Sequence, residues 1–578
     1  MGLSLVKPGA CEEPQAQTER PPVAAEKARR LRVLFFAYRP GLAGQYASLV
    51  SELSARGHEV HLAFELKRSR LPRRPSPPGV TYGFAPERWR FDGWQSIAWL
   101  VRALGDLARY TDPRYEHAPV LRRRMRKAVI ARLETPSEFD PLARRLALRV
   151  TERLVGTTDA ELSGRVIRAA ARLEAAIPTS RRIDRYIRKL APDVVLVSPV
   201  VKTGSSQVEY LKSARRLGIP AATCVASWDN LTSKGLLRVI PERVFVWNEI
   251  QRREATELHG VPAARVVATG AQGFDRWFER RPSSSRDDFV RRIGLDVTHP
   301  YVLFLGSSPF VARRSDQEVR FVARWIDVLR TSGDERLRRL GIVIRPHPVD
   351  RRWEKVDLGR FENVVIWPRR SVRPVTPEEH SVFFDTLVHS AAVVGINTTA
   401  MIEAAIVGKG VLTILDPKFA QESTLHFHYL LEEEGGFLHV ASSLEEHVSQ
   451  LVRVLEEGDR RADRRAQFLE SFVRPHGLER PATPILADAV EELVAARIEP
   501  SERPLLLRLL LTLDVPFSSA ALVTYPGRRE LRRLRRRIRK RAHRWAQARP
   551  TRSPVQTTPA AGSRPNNPRL DLSRGRRR

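Results

Sequence analysis

Cysteine is scarce in this chain. Only Cys11 and Cys224 occur among 578 residues, which excludes a disulfide framework and fits a reducing compartment. Long apolar runs are missing too. None is long enough to cross a bilayer as a helix. The longest, residues 505–513, is short and is broken by Arg508. Residues 1–30 are polar and rich in Pro, Glu and Ala, without the apolar centre of a secretory signal, and are expected to be a disordered tail. Acidic residues are outnumbered, 66 Asp+Glu against 99 Lys+Arg, for a net charge of +33. No Asp-x-Asp pair stands at a predicted strand end. Asp316 and Asp350 are isolated carboxylates, so no metal site is expected. The length implies two or more domains, each able to bury a core.

Much of the basic excess sits in one place. The stretch from Arg528 to Arg549 carries 12 Lys/Arg and one Glu. Leu531, Leu534, Ile538, Ala542 and Trp545 recur at helical spacing along it. A basic helix with a narrow apolar stripe suits an anionic membrane surface. Nucleic acid is the lesser reading of the same charge, and a solvated basic helix is the plain one. Residues 496–549 thus form an apolar and a basic C-terminal segment. Residues 550–578, rich in Pro, Arg, Asn and Ser, are expected to be disordered.

The most informative stretch is 393–414, VVGINTTAMIEAAIVGKGVLTI. An apolar strand ends at Val394, and Gly395, Ile396 and Asn397 make a tight turn. Thr398 or Thr399 caps a helix beginning near Ala400. Glu403 lies one turn in. Gly408 stops the helix, and residues 411–415 form the next buried strand. Free N–H groups at such a turn favour a phosphate, and a carboxylate one turn on can accept hydrogen bonds from a ribose diol. An ordinary strand–helix–strand unit with a capping threonine is the plain alternative. Two more strands end in polar residues. GIVIRPHP (341–348) delivers Arg345 and His347, and YVLFLGSSP (301–309) delivers Gly306, Ser307 and Ser308. Arg313 and Arg314 follow. Ligands of open α/β sheets bind at the carboxyl ends of strands.

This arrangement resembles the donor half of GT-B glycosyltransferases. It is most similar to the branch shared by capsule and surface-polysaccharide transferases, CDP-glycerol glycerophosphotransferases and UDP-GlcNAc 2-epimerases. The resemblance implies two Rossmann-like α/β domains facing a cleft. It also implies that the diphosphate lies on Gly306, Ser307, Ser308, Asn397, Thr398 and Thr399, the ribose on Glu403, and His347 and Arg345 by the phosphates. The nucleotide-sugar would be a substrate, and no cofactor is expected. Upstream, residues 31–63 read as strand, Gly41…Gly44 loop, amphipathic helix, Gly57-His58 turn and second strand. DVVLVS (193–198), AATCVASWDNLTSKG (221–235) and RVFVWN (243–248) continue the pattern. The run 259–277 matches the passage leading to the interdomain crossing. The resemblance covers most of 31–495, is strongest over 296–415, and leaves 66–190 largely outside. It gives an N-terminal acceptor domain over 31–275, with a helical insertion at about 66–190, and a nucleotide-donor domain over 276–495.

One departure matters. Where the epimerases carry a catalytic Glu, this chain has Ala226-Ser227-Trp228-Asp229, which argues for transfer to an acceptor. Asp229 is the candidate base for the acceptor hydroxyl, or else an Asx-turn aspartate. His58 is expected to be structural and Cys224 buried. His426 and His428 lack a third ligand for a metal. The insertion is either a packed helical layer or a lid or channel for a lipid-linked acceptor beside the membrane, with one face of the 93–110 helix apolar through Trp94, Ile97, Leu100, Val101, Leu104 and Leu107. The TDPRY run (111–115) and Arg122–Arg124 are candidates for a phosphorylated acceptor. The expected activity is sugar transfer from a nucleotide diphosphate to a surface-polysaccharide or lipid-linked acceptor, at the cytoplasmic membrane face. Glycerophosphate transfer from CDP-glycerol, which needs a further histidine near the acceptor, is one alternative. A non-catalytic scaffold of polysaccharide assembly is the other.

Overall fold

The computed structural model describes residues 29–498, apart from 41–43, 66–70, 72–75, 87–93, 117, 135–140, 310, 312–315, 371–373, 375, 417–418 and 420–425. The basic stretch Arg528–Arg549, the 505–513 run, the 550–578 tail, Cys11, Gly41, Arg313 and Arg314 lie outside the described residues.

Strand period sets the architecture. In Tyr301–Leu305, residues 301, 303 and 305 enter one core cluster while 302 and 304 enter another. In Val194–Ser198, Val194 and Leu196 face one cluster, and Val195 and Val197 the other. Strands buried on both faces belong to parallel sheets covered by helices. The first sheet is built from β1 (Arg32–Ala37), β2 (Glu59–Phe64), β3 (Val80–Phe84), β4 (Val194–Ser198), β5 (Ala221–Cys224), β6 (Arg243–Val246) and β7 (Val266–Ala268). Its order is β3-β2-β1-β4-β5-β6-β7. The second contains β8 (Tyr301–Leu305), β9 (Gly341–Arg345), β10 (Val364–Ile366), β11 (Ala392–Gly395), β12 (Val411–Ile414) and β13 (His439–Ala441). Its order is β10-β9-β8-β11-β12-β13. Both carry the 3-2-1-4-5-6 Rossmann order, with its switch point beside the first strand. The expected pair of Rossmann-like domains is present.

The crossing between domains is held by Asp275. Its carboxylate accepts hydrogen bonds from Arg474, from the Ala482 and Thr483 amides, and from the Thr483 hydroxyl at 2.6 Å. Gly270 sits at φ +89°, and a Cβ there would lie 2.5 Å from that of Ala482. The helix Ala482–Glu492 then returns to the first domain. Leu486, Ala487 and Val490 share its core with Val50 and Leu53. Residues 482–495 therefore pack with the first domain, and the donor domain does not extend to 495 as expected. His58 is structural, as expected. It is buried, accepts the Leu31 N–H and lies 2.8 Å from Glu491 of the returning helix. Arg29 and Arg30, assigned to the tail, pair with Asp193 and Glu59.

The insertion differs from expectation at both ends. Residues 80–84 form the edge strand β3, paired in register with β2. Helices α1 (Ala47–Ala55), α2 (Trp94–Arg109), α3 (Pro119–Leu133), α4 (Pro141–Val155), α5 (Ala160–Ala176) and α6 (Arg181–Leu190) run through this half. Of these, α6 covers the sheet through Ile183 and Ile187, so the insertion proper is α2–α5 around its own core. On α2, Trp94, Val101 and Leu107 are buried, while Ile97, Leu100 and Leu104 are only half-buried. Its polar side is buried as well, through Arg102, Asp106 and Arg109. Arg102 clamps Glu174 at 2.7 Å through two nitrogens and reaches Glu209 at 2.6 Å, and Lys212 closes the network on Glu174 at 2.8 Å. A helix with buried residues on its polar and apolar sides, tied by Arg102 to Glu174 and Glu209 of two other elements, is a fixed layer and not a hinged lid. The TDPRY run is a structural turn: Arg114 grips Asp112 at 2.9 Å, Tyr115 is buried, and Arg122 donates to the Tyr110 carbonyl. Asp112, Arg114, Tyr115 and Arg122 thus have partners within the protein, while Arg123 and Arg124 are exposed.

Candidate active site in the interdomain cleft

Register brings the three polar strand ends together. Leu305 of β8 pairs with Arg345 of β9 on one side and Gly395 of β11 on the other. The turns after them therefore meet at the switch point. Glycine is required at 306, because a Cβ would stand 2.9 Å from the His347 amide nitrogen and 3.1 Å from the Arg345 carbonyl.

Ser307 corrects the expectation for this turn. Its N–H donates to Glu318 at 2.7 Å, and its Oγ accepts the Asn397 N–H at 3.3 Å. The residue is buried and bridges the two turns. Glu318 also receives the Trp353 indole N–H at 3.3 Å. Burial outweighs these donors and pushes its carboxyl up to about 7. Ser308 is half-buried.

Arg345 is the unusual group. It is only 9% exposed, and its guanidinium carbon lies 4.2 Å from the centre of the Phe383 ring. Among the described residues its Nη1 has no hydrogen-bond partner and no carboxylate comes within ion-pair distance of it. Burial lowers its affinity for a proton to about 10, with the Glu403 charge opposing. Burial in turn raises the Glu403 carboxyl to about 7, with Arg345 opposing. His347 is half-buried beside them, its Nδ1 accepting the Val349 N–H at 3.4 Å.

The helix after β11 spans Ala400–Ile406, as expected, and Gly408 follows at φ +78°. Thr399 occupies the N-cap, but its side chain does not cap. Its hydroxyl instead accepts the indole N–H of Trp228, from the other domain, at 3.1 Å. Thr398 Oγ1 is 3.5 Å from the Ala400 nitrogen.

The opposite wall follows β5. Asp229 is neither an Asx-turn residue nor a free base: it precedes the short helix Asn230–Ser233 without capping it. Burial alone would raise its carboxyl. The Lys234 ammonium at 2.8 Å and nearby His426 hold it down at about 2. His426, from the second domain, is 4% exposed and meets the Trp228 ring edge-on at 4.3 Å. Burial brings its imidazole down to about 4, and its Nδ1 has no hydrogen-bond partner among the described residues. Next to it, Tyr429 donates across the cleft to Glu254 at 2.8 Å. Burial lifts the Glu254 carboxyl to about 8. Cys224 is buried, as expected, and burial pushes its thiol up.

Trp228, Glu254, Glu318, Phe383 and Tyr429 have no role in the sequence reading. Only Trp228 had a local signal, beside Asp229. The others acquire their positions from residues far along the chain. Asp316 pairs with Arg320 and Asp350 with Arg352. Among the described residues no group of three or more potential ligands is placed to hold a metal.

No family model matches the chain. No curated protein matches it. Solved structures do. The UDP-GlcNAc 2-epimerase from Methanocaldococcus jannaschii is 12% identical, over 80% of this chain and 99% of that one, with a TM-score of 0.43. The UDP-GlcNAc 2-epimerase from Neisseria meningitidis bound to UDP-GlcNAc is 11% identical, over 80% and 100%, with a TM-score of 0.41. A glycosyltransferase from Rickettsia africae is 7% identical, over 81% and 100%, with a TM-score of 0.43. The two parallel Rossmann-ordered sheets, with strand-end loops meeting across a cleft, give this chain the two-domain α/β architecture expected from its sequence.

Proposed function

We propose that the chain transfers a sugar from a nucleotide diphosphate to a hydroxyl acceptor of surface-polysaccharide or lipid-linked type. The observation that carries this reading is Arg345, a buried guanidinium near Glu403 at the switch point that makes no ion pair among the described residues. Breaking the bond between the anomeric carbon and the phosphate oxygen leaves negative charge on the diphosphate. A cation already desolvated at that spot stabilises it without reorganisation. Arg345 and His347 face the phosphates in this reading, Gly306, Ser308, Asn397, Thr398 and Thr399 shape the turns around them, and Glu403 takes the ribose diol. The acceptor enters from the Asp229 side. Asp229 can take its proton only if the acceptor displaces Lys234, since the paired carboxylate is a weak base.

The test is a thermal-shift and calorimetric panel of UDP, CDP, GDP and ADP. One nucleoside diphosphate should bind, and Glu403→Ala should weaken it roughly tenfold to a hundredfold, the value of a charge-assisted hydrogen bond. No binding by any of the four at millimolar concentration defeats the reading. Selective binding of CDP favours glycerophosphate transfer, which the placement of His426 against Trp228 also supports.

The site of action proposed is the cytoplasmic face of the membrane, reached through Arg528–Arg549. Each basic side chain near an anionic surface contributes roughly 1 kcal/mol, less at high salt. Deleting 528–578 should release the protein from phosphatidylglycerol vesicles and leave nucleotide affinity unchanged. Salt-independent binding to neutral vesicles speaks against it, and tighter binding to duplex DNA transfers the charge to nucleic acid.

A further inference from the structure

The loops after β4 and β5 form the first domain's side of the cleft, and a single turn of insertion helix α2 holds both. Asp106, fully buried, accepts the Gly204 N–H at 2.8 Å through one oxygen and the Leu236 N–H at 2.8 Å through the other. A Cβ on Gly235 would lie 2.9 Å from each of those oxygens, so the loop is pressed directly onto the carboxylate. Three residues on, Arg109 is 2% exposed. It has no carboxylate within ion-pair distance among the described residues. Its Nε donates to the Tyr115 hydroxyl within the insertion, and its two Nη groups are spent on main-chain carbonyls: Leu231, Lys234 at 2.9 Å and Gly235 at 3.4 Å. Tyr110 adds its hydroxyl to the Lys234 carbonyl at 2.6 Å. A buried cation directed onto one short loop fixes that loop far more firmly than neutral donors would.

Lys234 is the residue so gripped, and its ammonium is the ion-pair partner of Asp229. We propose that Arg109 and Tyr110 are positioning residues for the cleft: they hold the Lys234 backbone so that its side chain stays on Asp229, and this bracing is what the helical insertion contributes to the active site. The functional meaning rests on the acceptor-side reading above; the geometry can be tested without it.

The experiment is acetic anhydride footprinting of the full chain, with Lys234 acetylation followed by peptide mass spectrometry. Lys202, exposed in the loop after β4, and Lys212, held by Glu174 beneath the insertion, are internal controls. Arg109→Met should raise Lys234 labelling about fivefold or more, and Tyr110→Phe about twofold to threefold, as expected for loss of charged and neutral hydrogen bonds. Lys202 and Lys212 should not change. Arg109→Lys, which keeps the charge but cannot span three carbonyls, should restore only part of the protection. If Arg109→Met does not fold, Tyr110→Phe decides, since it removes one oxygen. Unchanged Lys234 labelling in the soluble variants overturns the proposal. So does a rise shared by Lys212, which would mark general loosening. A wild type that binds no nucleotide defeats the donor reading and leaves the footprint result standing.

Discussion

Replacing Arg345 by Met should remove nucleotide binding and leave the unliganded protein as stable as before, or more so. The two halves of this expectation have one cause. A guanidinium buried with no carboxylate at ion-pair distance among the described residues has lost its hydration and receives only the more distant Glu403 charge and an aromatic face in return. The Phe383 ring at 4.2 Å returns about 0.5–2 kcal/mol, against a desolvation cost of several kcal/mol per ion. Met fills similar volume without the charge, so the melting temperature of the apo variant should equal or exceed that of the wild type. The diphosphate, in contrast, loses a bidentate cation. Each charge-assisted hydrogen bond contributes about 1.5–3 kcal/mol, so the dissociation constant should rise roughly a hundredfold or more. Calorimetry with the nucleoside diphosphate found in the panel measures the second half, and a melt without ligand the first. Unchanged affinity removes Arg345 from the donor site. Preserved affinity with a melt several degrees lower makes it a structural residue.

The second large effect is on stability against pH. Glu254 and Glu318 are buried, and their carboxyls are raised from the ordinary 4.5 to about 8 and about 7. The folded state therefore binds protons that the unfolded chain has released. Stability from these groups is fully present below pH 4.5 and is lost as pH rises through 7 and 8. For Glu254 the loss is about 2–4 kcal/mol after allowance for relaxation on ionisation. Glu254→Gln keeps an acceptor for the Tyr429 hydroxyl and cannot ionise. Its melting temperature should match the wild type at pH 5 and exceed it at pH 9 by about 5–10 °C, at about 2–4 °C per kcal/mol for a domain of this size. Melts at half-unit steps of pH give the difference curve. A wild-type-minus-variant gap that does not change between pH 5 and 9 would show that Glu254 ionises freely, and so that Tyr429 does not close over it in solution.

How much of this was legible in the chain depends on how far each group lies from its partner. The strand ends at 305, 345 and 395 follow from short apolar runs bounded by Gly, Pro and polar residues, because such signals act within a few residues. The same holds for the helix at 400–406 and its stop at Gly408. The edge strand at 80–84 was missed because it is only partly buried, and its alternation is hidden beside a Pro-rich, basic stretch.

The sequence by itself determined the two α/β domains, the strand ends that carry Gly306, Arg345, Asn397 and Glu403, and the excess of positive charge. Tertiary structure alone decided what those residues do there. Ser307 and Asn397 lie 90 positions apart and satisfy each other. Trp228 reaches Thr399 across 171 positions. The returning helix joins the first domain because the apolar face of Leu486 and Val490 finds Val50 and Leu53 there. Arg109 holds carbonyls more than 120 positions away. Local pattern reports what a residue can offer. Which offer is taken depends on the groups that folding brings within about 3 Å, since hydrogen bonds are made only at that range.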